Sequence, residues 1–381
     1  MSAFFRFFDA AGECVIAVPF RLQRRITHFN EVMMDPKLSV QIDCGDPEAF
    51  ISVRIKPCGW RYYWGRKLSY FLDNFRRRRE PALPTPEPSR ISPLVADEAA
   101  TSPSTPLVSI VIPTRDRADL LARAVETLFE KASWPKLELV IVDNGSVEQE
   151  TFALFDRLRA LPSVTILRRD EPFNFARLAN VGARASRGEV VALLNNDLET
   201  ANPDWLAPLI ALAVDPRVGV VGAKLLHEDG TVQHAGMALG IRGLTGHAGR
   251  GRAADDPGPY AMLTTTRRVS AVTGACLLTR RRVFDEIGGF DESFVVECND
   301  VDYCLRARDA GYAVVYAAEP ALVHKESSTR EAHKKLRAQE VLDRLLLTKR
   351  WGHALIDDPY YPPELTLADE SLALATEPRE G

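Results

Sequence analysis

The sequence predicts an α/β domain whose mostly parallel sheet is flanked by helices, with a small β-rich unit ahead of it. Three observations lead there. Apolar runs rich in Val, Ile and Leu recur between residues 109 and 195, separated by stretches with helical spacing. The runs do not alternate apolar with polar, so both faces of each strand must be covered, as in a parallel sheet between helix layers. Polar residues then stand abruptly at the carboxyl ends of the runs, where open α/β sheets hold their ligands.

Residues 1–58 contain short runs such as SVQIDC and FISVRI between turn residues and read as a small β-rich unit. In residues 59–80, Trp64, Leu68, Phe71, Leu72 and Phe75 form one helical stripe, surrounded by Arg61, Arg66, Lys67 and Arg76 to Arg79. A basic, aromatic helix over 60–79 suits peripheral contact with an anionic membrane surface, although packing on a neighbouring domain explains the stripe as well. Residues 81–106 are rich in Pro, Ser, Thr and Ala and have linker composition. The α/β domain then occupies 107–351, and 352–381 is left as a C-terminal tail. Within the domain, SIVIP (109–113) is the first strand and Leu121, Ala124, Val125 and Leu128 mark a helix. LELVIVD (137–143) and SVTILRR (163–169) follow as strands, with a helix through Leu154 and Leu158 between them. A helix from about Phe175 to Ser186 leads into EVVALLN, the fourth strand.

With 46% hydrophobic and 26% charged residues and a formal net charge of −4, the composition is that of a soluble globular protein and gives no whole-chain bias toward nucleic acid. Six cysteines are scattered without a CxxC pair, and no apolar run approaches the roughly 18 residues needed to cross a bilayer. A cytoplasmic protein is therefore expected, attached at most peripherally to the inner face of the plasma membrane.

The stretch ALLNNDLE (192–199) ends the fourth strand in two amides and two acids. Asn195 and Asp197 are two apart, so on an extended strand they point to the same side. Such oxygen donors are half a site for Mg²⁺ or Mn²⁺, which takes its other ligands from water and substrate phosphates. Helix capping is the competing explanation, but Asn202 or Asp204 can cap the helix that NPDWL begins. Asp143, in VDNGS, can accept hydrogen bonds from a nucleobase imide or a ribose hydroxyl, though an Asx turn also explains DNGS. Asn299, Asp300 and Asp302 crowd the first turn of a helix, more polar groups than a cap requires, and a carboxylate held there can act as a base. His324 ends another strand, where a structural histidine is the commoner case.

Taken together, SIVIPTRDRADLL, VIVDNGS, FNFARLANVGARASRGEVVALLNNDLE, VGAKLLHEDGTVQHAGMALG, AVTGACLLTRRRVFDEIGGFDESF, NDVDYCLRARDAGY and HKESSTR resemble a family-2 glycosyltransferase with the Rossmann-like GT-A fold. The bacterial branch that builds rhamnose-containing and O-antigen polysaccharides is the most similar, and the resemblance runs from about Leu107 to Trp351. It implies inverting, metal-dependent transfer of a sugar, with dTDP-rhamnose as an expected donor, from a nucleoside-diphosphate sugar to a hydroxyl of a growing glycan or lipid-linked saccharide. Pro113, Thr114, Arg115 and Asp143 then match nucleoside-pocket positions, and Arg177 and Asn180 the segment facing base or phosphate. NND stands at the family's DxD position: Asp197 would bind the metal, with Asn195 and Asn196 in the donor-binding set. Asp300 matches the general base, and His324 a histidine that reaches the same metal. The chain departs from the pattern at Asn195, which carries no charge, and at Asn299, which replaces the acid often found beside the base, so Asp302 is a second candidate for it. The glycine-rich segment 230–258, with His234 and His247, is expected to be a mobile loop over donor or acceptor.

A sugar nucleotidyltransferase would share the sheet, acids and metal, but PTRDRADLL lacks the glycines of a triphosphate-binding loop. A catalytically inactive carbohydrate-binding protein is the other alternative, favoured by the Asn substitutions.

Overall fold

The computed structural model describes residues 105–325 and 330–375, side chains of 330–335 excepted, together with the backbone of four strands nearer the N-terminus. Two compact units divide at Pro81. In the first, β1 (Ser2–Phe8), β2 (Cys14–Arg21), β3 (Ser39–Asp43) and β4 (Phe50–Val53) form an antiparallel sheet in the order β2-β1-β3-β4. The basic aromatic stretch 59–80 and most of the linker, 81–104, lie outside the described residues.

The second unit is built on β5 (Val108–Thr114), β6 (Leu137–Asp143), β7 (Val164–Arg168), β8 (Val190–Leu194), β9 (Leu198–Glu199), β10 (Val218–Leu226), β11 (Val232–His234), β14 (Arg267–Arg268), β15 (Cys276–Arg280) and β16 (Ala313–His324). Their main path runs β14-β16-β10-β15-β8-β5-β6-β7, with β9 on β16 and β11 on β10. The pairs β7-β6, β6-β5, β5-β8 and β10-β16 are parallel. The mixed α/β architecture with a largely parallel sheet is thus the one expected. A feature not anticipated is β15, which lies antiparallel between β8 and β10 and joins the two parallel halves.

Alternate side chains of β5 explain its continuous apolar run. Ile110 and Ile112 face a core with Leu121, Phe155 and Leu209 from α1 (Ala118–Val125), α2 (Gln149–Arg159) and α4 (Leu206–Ala213). Val111 faces a second core with Leu178, Val301 and Trp351 from α3 (Phe175–Ala185), α6 (Asn299–Asp309) and α7 (Arg330–Trp351). A short helix α5 (Arg281–Glu286) follows β15. On α3, a Cβ at Gly182 would come within 2.9 Å of Val142 Cγ2, so glycine lets the helix seat directly on β5 and β6.

The expected mobile loop at 230–258 is instead a packed structure. It holds β11 and the hairpin of β12 (Met237–Leu239) and β13 (Thr245–His247). His234 is fully buried against His247, and burial pushes its ring well below the usual histidine range. The C-terminal segment closes over this hairpin rather than trailing from the domain. Leu355, Tyr361, Leu365 and Leu372 join the core, and buried Asp358 accepts hydrogen bonds from Leu239 N (2.7 Å), Ser270 Oγ (2.7 Å) and Tyr360 N (2.8 Å). Apolar burial supplies the reason, at about 1.5–3 kcal/mol per large side chain.

Candidate active site

The carboxyl ends of β6, β5 and β8 lie side by side and carry the polar residues picked out in the sequence. Thr114 and Asp143 are register partners, and Asn196 Nδ2 donates to Thr114 Oγ1 at 2.9 Å. Asp143 is buried, with Oδ1 accepting from Ser146 N (2.8 Å) in an Asx turn and Oδ2 from Arg168 Nη1 (2.8 Å). Its carboxylate is already paired within the protein, a difference from the free acceptor expected. The loop after β5 is clamped to the loop after β6: Asp116 Oδ1 accepts from Val147 N (2.7 Å) and Glu148 N (2.9 Å). Asp116 and Arg117 both take positive φ, 53° and 54°, a strain that the clamp holds at the rim of the site. Pro113 is partly covered beneath this loop, and the Arg115 side chain is 62% exposed above it.

Beyond Asn196 the chain turns back as β9 and pairs with the end of β16, His324 opposite Leu198. That pairing sets His324 beside Asp197. The ring's Nε2 lies 3.0 Å from Asp197 Oδ1, but not aligned as a hydrogen bond, and Oδ1 is a buried oxygen without a hydrogen-bond partner. The tautomer explains this geometry. Nδ1 is 2.6 Å from Gln233 Oε1, which can only accept, so Nδ1 carries the proton; Nε2 is left with its lone pair and takes the Asn195 amide at 3.2 Å. A carboxylate oxygen and an unprotonated imidazole nitrogen thus lie 3.0 Å apart, the nitrogen's lone pair held by the Asn195 amide. Such a donor pair suits a divalent cation, which explains why a buried oxygen would be left unpaired. Among the described residues, no three His, Cys, Asp or Glu side chains converge as a complete metal cage. Glu199 takes no part, being paired with Arg123 (2.9 Å) and Lys325 (3.1 Å).

Asp300 and Asp302 separate clearly. Asp302 is fully buried and receives Arg306 Nε (2.8 Å), Arg350 Nη1 (2.7 Å) and Trp351 Nε1 (2.9 Å), so it anchors α6 to α7 and has no access to substrate. Asp300 is only partly covered. Its carboxylate accepts from Gly274 N and Val301 N, both at 2.8 Å, and burial pushes the group above the ordinary carboxylate range against the pull of those donors. Gly274 also connects the two halves of the site, because the carbonyl of the next residue, Ala275, accepts from Asn195 N at 2.9 Å. Helix α7 braces this arrangement: Asp343 accepts from the N–H groups of Val295, Val296 and Glu297, just before Cys298 opens α6 with φ 63°.

Arg177 and Asn180 stand on α3. Both are tied to the turn before α6: Arg177 Nε donates to Glu292 Oε2 (2.9 Å), and buried Asn180 exchanges hydrogen bonds with Phe290 N (2.8 Å) and Phe290 O (2.9 Å). An amide with both ends bound to backbone serves the fold, whereas the half-exposed Arg177 retains a face toward solvent. Gln233, Gly274 and Arg168 were not picked out in the sequence.

Residues 109–288 match the family model described as glycosyl transferase family 2. The chain carries a family 2 glycosyltransferase domain. The chain is 39% identical over 279 residues to the O-antigen biosynthesis protein RfbC of Myxococcus xanthus, covering 73% of this chain and 22% of that one. It is 28% identical over 207 residues to an N-acetylglucosaminyl-diphospho-decaprenol L-rhamnosyltransferase of Mycobacterium tuberculosis, covering 50% and 67% of the two chains. The chain therefore spans under a quarter of the length of the Myxococcus relative. It also spans 30% of a Sinorhizobium fredii relative that is 40% identical. A solved Pyrobaculum calidifontis mannosyltransferase in complex with GDP-Man and Mn²⁺ is similar with a TM-score of 0.48, at 19% identity over 76% of this chain and 71% of that one. No helix among the described residues is long and apolar enough to cross a membrane.

Proposed function

We propose that this domain transfers a sugar, with inversion, from a nucleoside-diphosphate sugar to a hydroxyl of a growing cell-surface glycan or lipid-linked saccharide. The observation that carries the reading is the link through residues 274 and 275: Gly274 holds the Asp300 carboxylate and Ala275 holds Asn195, beside the Asp197–His324 pair. Adjacent residues are about 3.8 Å apart along the chain, so Asp300 and Asn195 are tied to neighbouring backbone positions. The names of the Myxococcus and Mycobacterium relatives favour an O-antigen type acceptor and a rhamnosyl donor, of which dTDP-rhamnose is the form proposed.

In this reading Asp300 accepts the proton of the acceptor hydroxyl as that oxygen attacks the anomeric carbon; the bond from that carbon to the diphosphate oxygen breaks, and the diphosphate leaves with the electron pair. Asp197 and His324 would hold Mg²⁺ or Mn²⁺, which supplies charge neutralisation for the leaving diphosphate. Thr114 and Asn196 fix the rim between β5 and β8, and Arg115 and Arg177 offer cationic side chains to the donor. The test is a panel of nucleotide sugars, with and without Mn²⁺, read by release of nucleoside diphosphate. Consumption of a nucleoside triphosphate with release of pyrophosphate, or no donor binding at all, would overturn the reading.

A further inference from the structure

β11 pairs with β10 irregularly: His234 lies opposite Leu225 and Val232 opposite Leu226, which leaves Gln233 as the extra residue of a bulge. Bulges re-aim a side chain and are frequent beside active sites. Here the re-aimed side chain is 4% exposed, and its Oε1 meets His324 Nδ1 at 2.6 Å while its Nε2 lies 3.3 Å from His227 Nδ1. The second contact orients the amide, because Nε2 can only donate and therefore turns Oε1 toward His324.

We infer that Gln233 is a positioning residue that fixes His324 in its Nδ1–H tautomer and thereby keeps Nε2 unprotonated beside Asp197, so that it can ligate a divalent cation. This rests on the reading of Asp197 and His324 as the cation-binding pair. A metal-ligating histidine generally needs a partner for its other ring nitrogen, which sets both tautomer and ring orientation. Without Gln233 the proton is free to sit on Nε2, which then has no lone pair to offer a cation. The neutral amide also adds no charge to the pair.

Two measurements on Gln233→Leu test the inference. The first needs no metal: ¹⁵N shifts of histidine-labelled protein, with the His324 signals assigned by their loss in His324→Ala. The wild type should show a protonated Nδ1, and Gln233→Leu should move the proton toward Nε2. The second is Mn²⁺ affinity from the EPR signal of free Mn²⁺, expected to fall about 10- to 100-fold in Gln233→Leu. Gln233→Glu, which keeps an acceptor oxygen in place, should retain Mn²⁺ binding. A wild-type His324 protonated on Nε2, or a Gln233→Leu affinity within twofold of wild type at unchanged Tm, would overturn the inference. If the wild type itself bound no Mn²⁺ at millimolar concentration, the cation reading would fall and the inference with it, whereas the tautomer shifts would still show whether Gln233 sets the ring.

Discussion

Arg350, in the last turn of α7, donates to the fully buried Asp302 carboxylate at 2.7 Å, across 48 residues of chain. Two residues before Asp302 on α6, the Asp300 carboxylate meets only backbone N–H groups. The two acids should therefore fail in different ways. Asp302→Asn leaves Arg306 and Arg350 without their common counter-charge and should cost about 3 kcal/mol of stability. Asp300→Asn should lower kcat by about 10²- to 10⁴-fold with the fold intact. Urea unfolding and steady-state rates on both variants check the pair, and near wild-type turnover in Asp300→Asn would remove it as the base.

The raised pKa of Asp300 fixes the direction of two pH effects. As a base it must be ionised, so kcat/KM should decline on the acid side at a pH above the ordinary carboxylate range of about 4. For stability the sign is opposite. A carboxyl whose folded pKa lies above its unfolded value stabilises the fold at pH below the unfolded value, and that contribution is lost as pH rises through the folded pKa. Asp300→Asn should accordingly lack this pH-dependent part of the stability, seen as a flatter Tm against pH above the ordinary carboxylate range.

How far the sequence could be read depended on whether the deciding contact was local. β5, β6, β7 and β8 were legible because sheet strands covered on both faces need unbroken apolar runs, and the polar break at Asn195 marked the end of β8. The antiparallel placement of β15 was not, since CLLTR reads like its neighbours and its partners are fixed by long-range register. Asp302 stayed a second candidate because two of the donors that claim its carboxylate, Arg350 and Trp351, lie far along the chain. Gln233 gave no signal, as a three-residue strand with a bulge has no period to detect. Asn180 was named only through the resemblance, and its bonds to the Phe290 turn, 110 residues away, are long-range contacts that local sequence does not signal.

The C-terminal segment makes a further prediction. Leu355, Tyr361, Leu365 and Leu372 are at most 6% exposed, so removing residues 353–381 strips four large side chains from the core. At about 1.5–3 kcal/mol each, the loss is comparable to the whole stability of a typical domain. The truncated chain should not fold, as judged by loss of a cooperative urea transition. Asp358→Ala, which leaves the donors of Leu239, Ser270 and Tyr360 without their acceptor, should cost about 3 kcal/mol by the same measurement.

The unpaired Asp197 Oδ1 separates a cation-binding role from a structural one. In the metal-free protein this buried oxygen lies 3.0 Å from the unprotonated His324 Nε2 and has no donor, a situation that costs about 1–3 kcal/mol. Asp197→Asn can turn an amide N–H toward Nε2 and relieve it. The variant should therefore melt higher than wild type in EDTA. Mn²⁺ should raise the wild-type Tm, since a ligand at about 100 times its Kd contributes roughly 2.7 kcal/mol, and should leave Asp197→Asn nearly unmoved. The crossing of the two curves is the signature: wild type less stable without Mn²⁺ and more stable with it. An Asp197→Asn protein that is destabilised in EDTA and still shifts fully with Mn²⁺ would mean that the carboxylate serves the fold and the cation binds elsewhere.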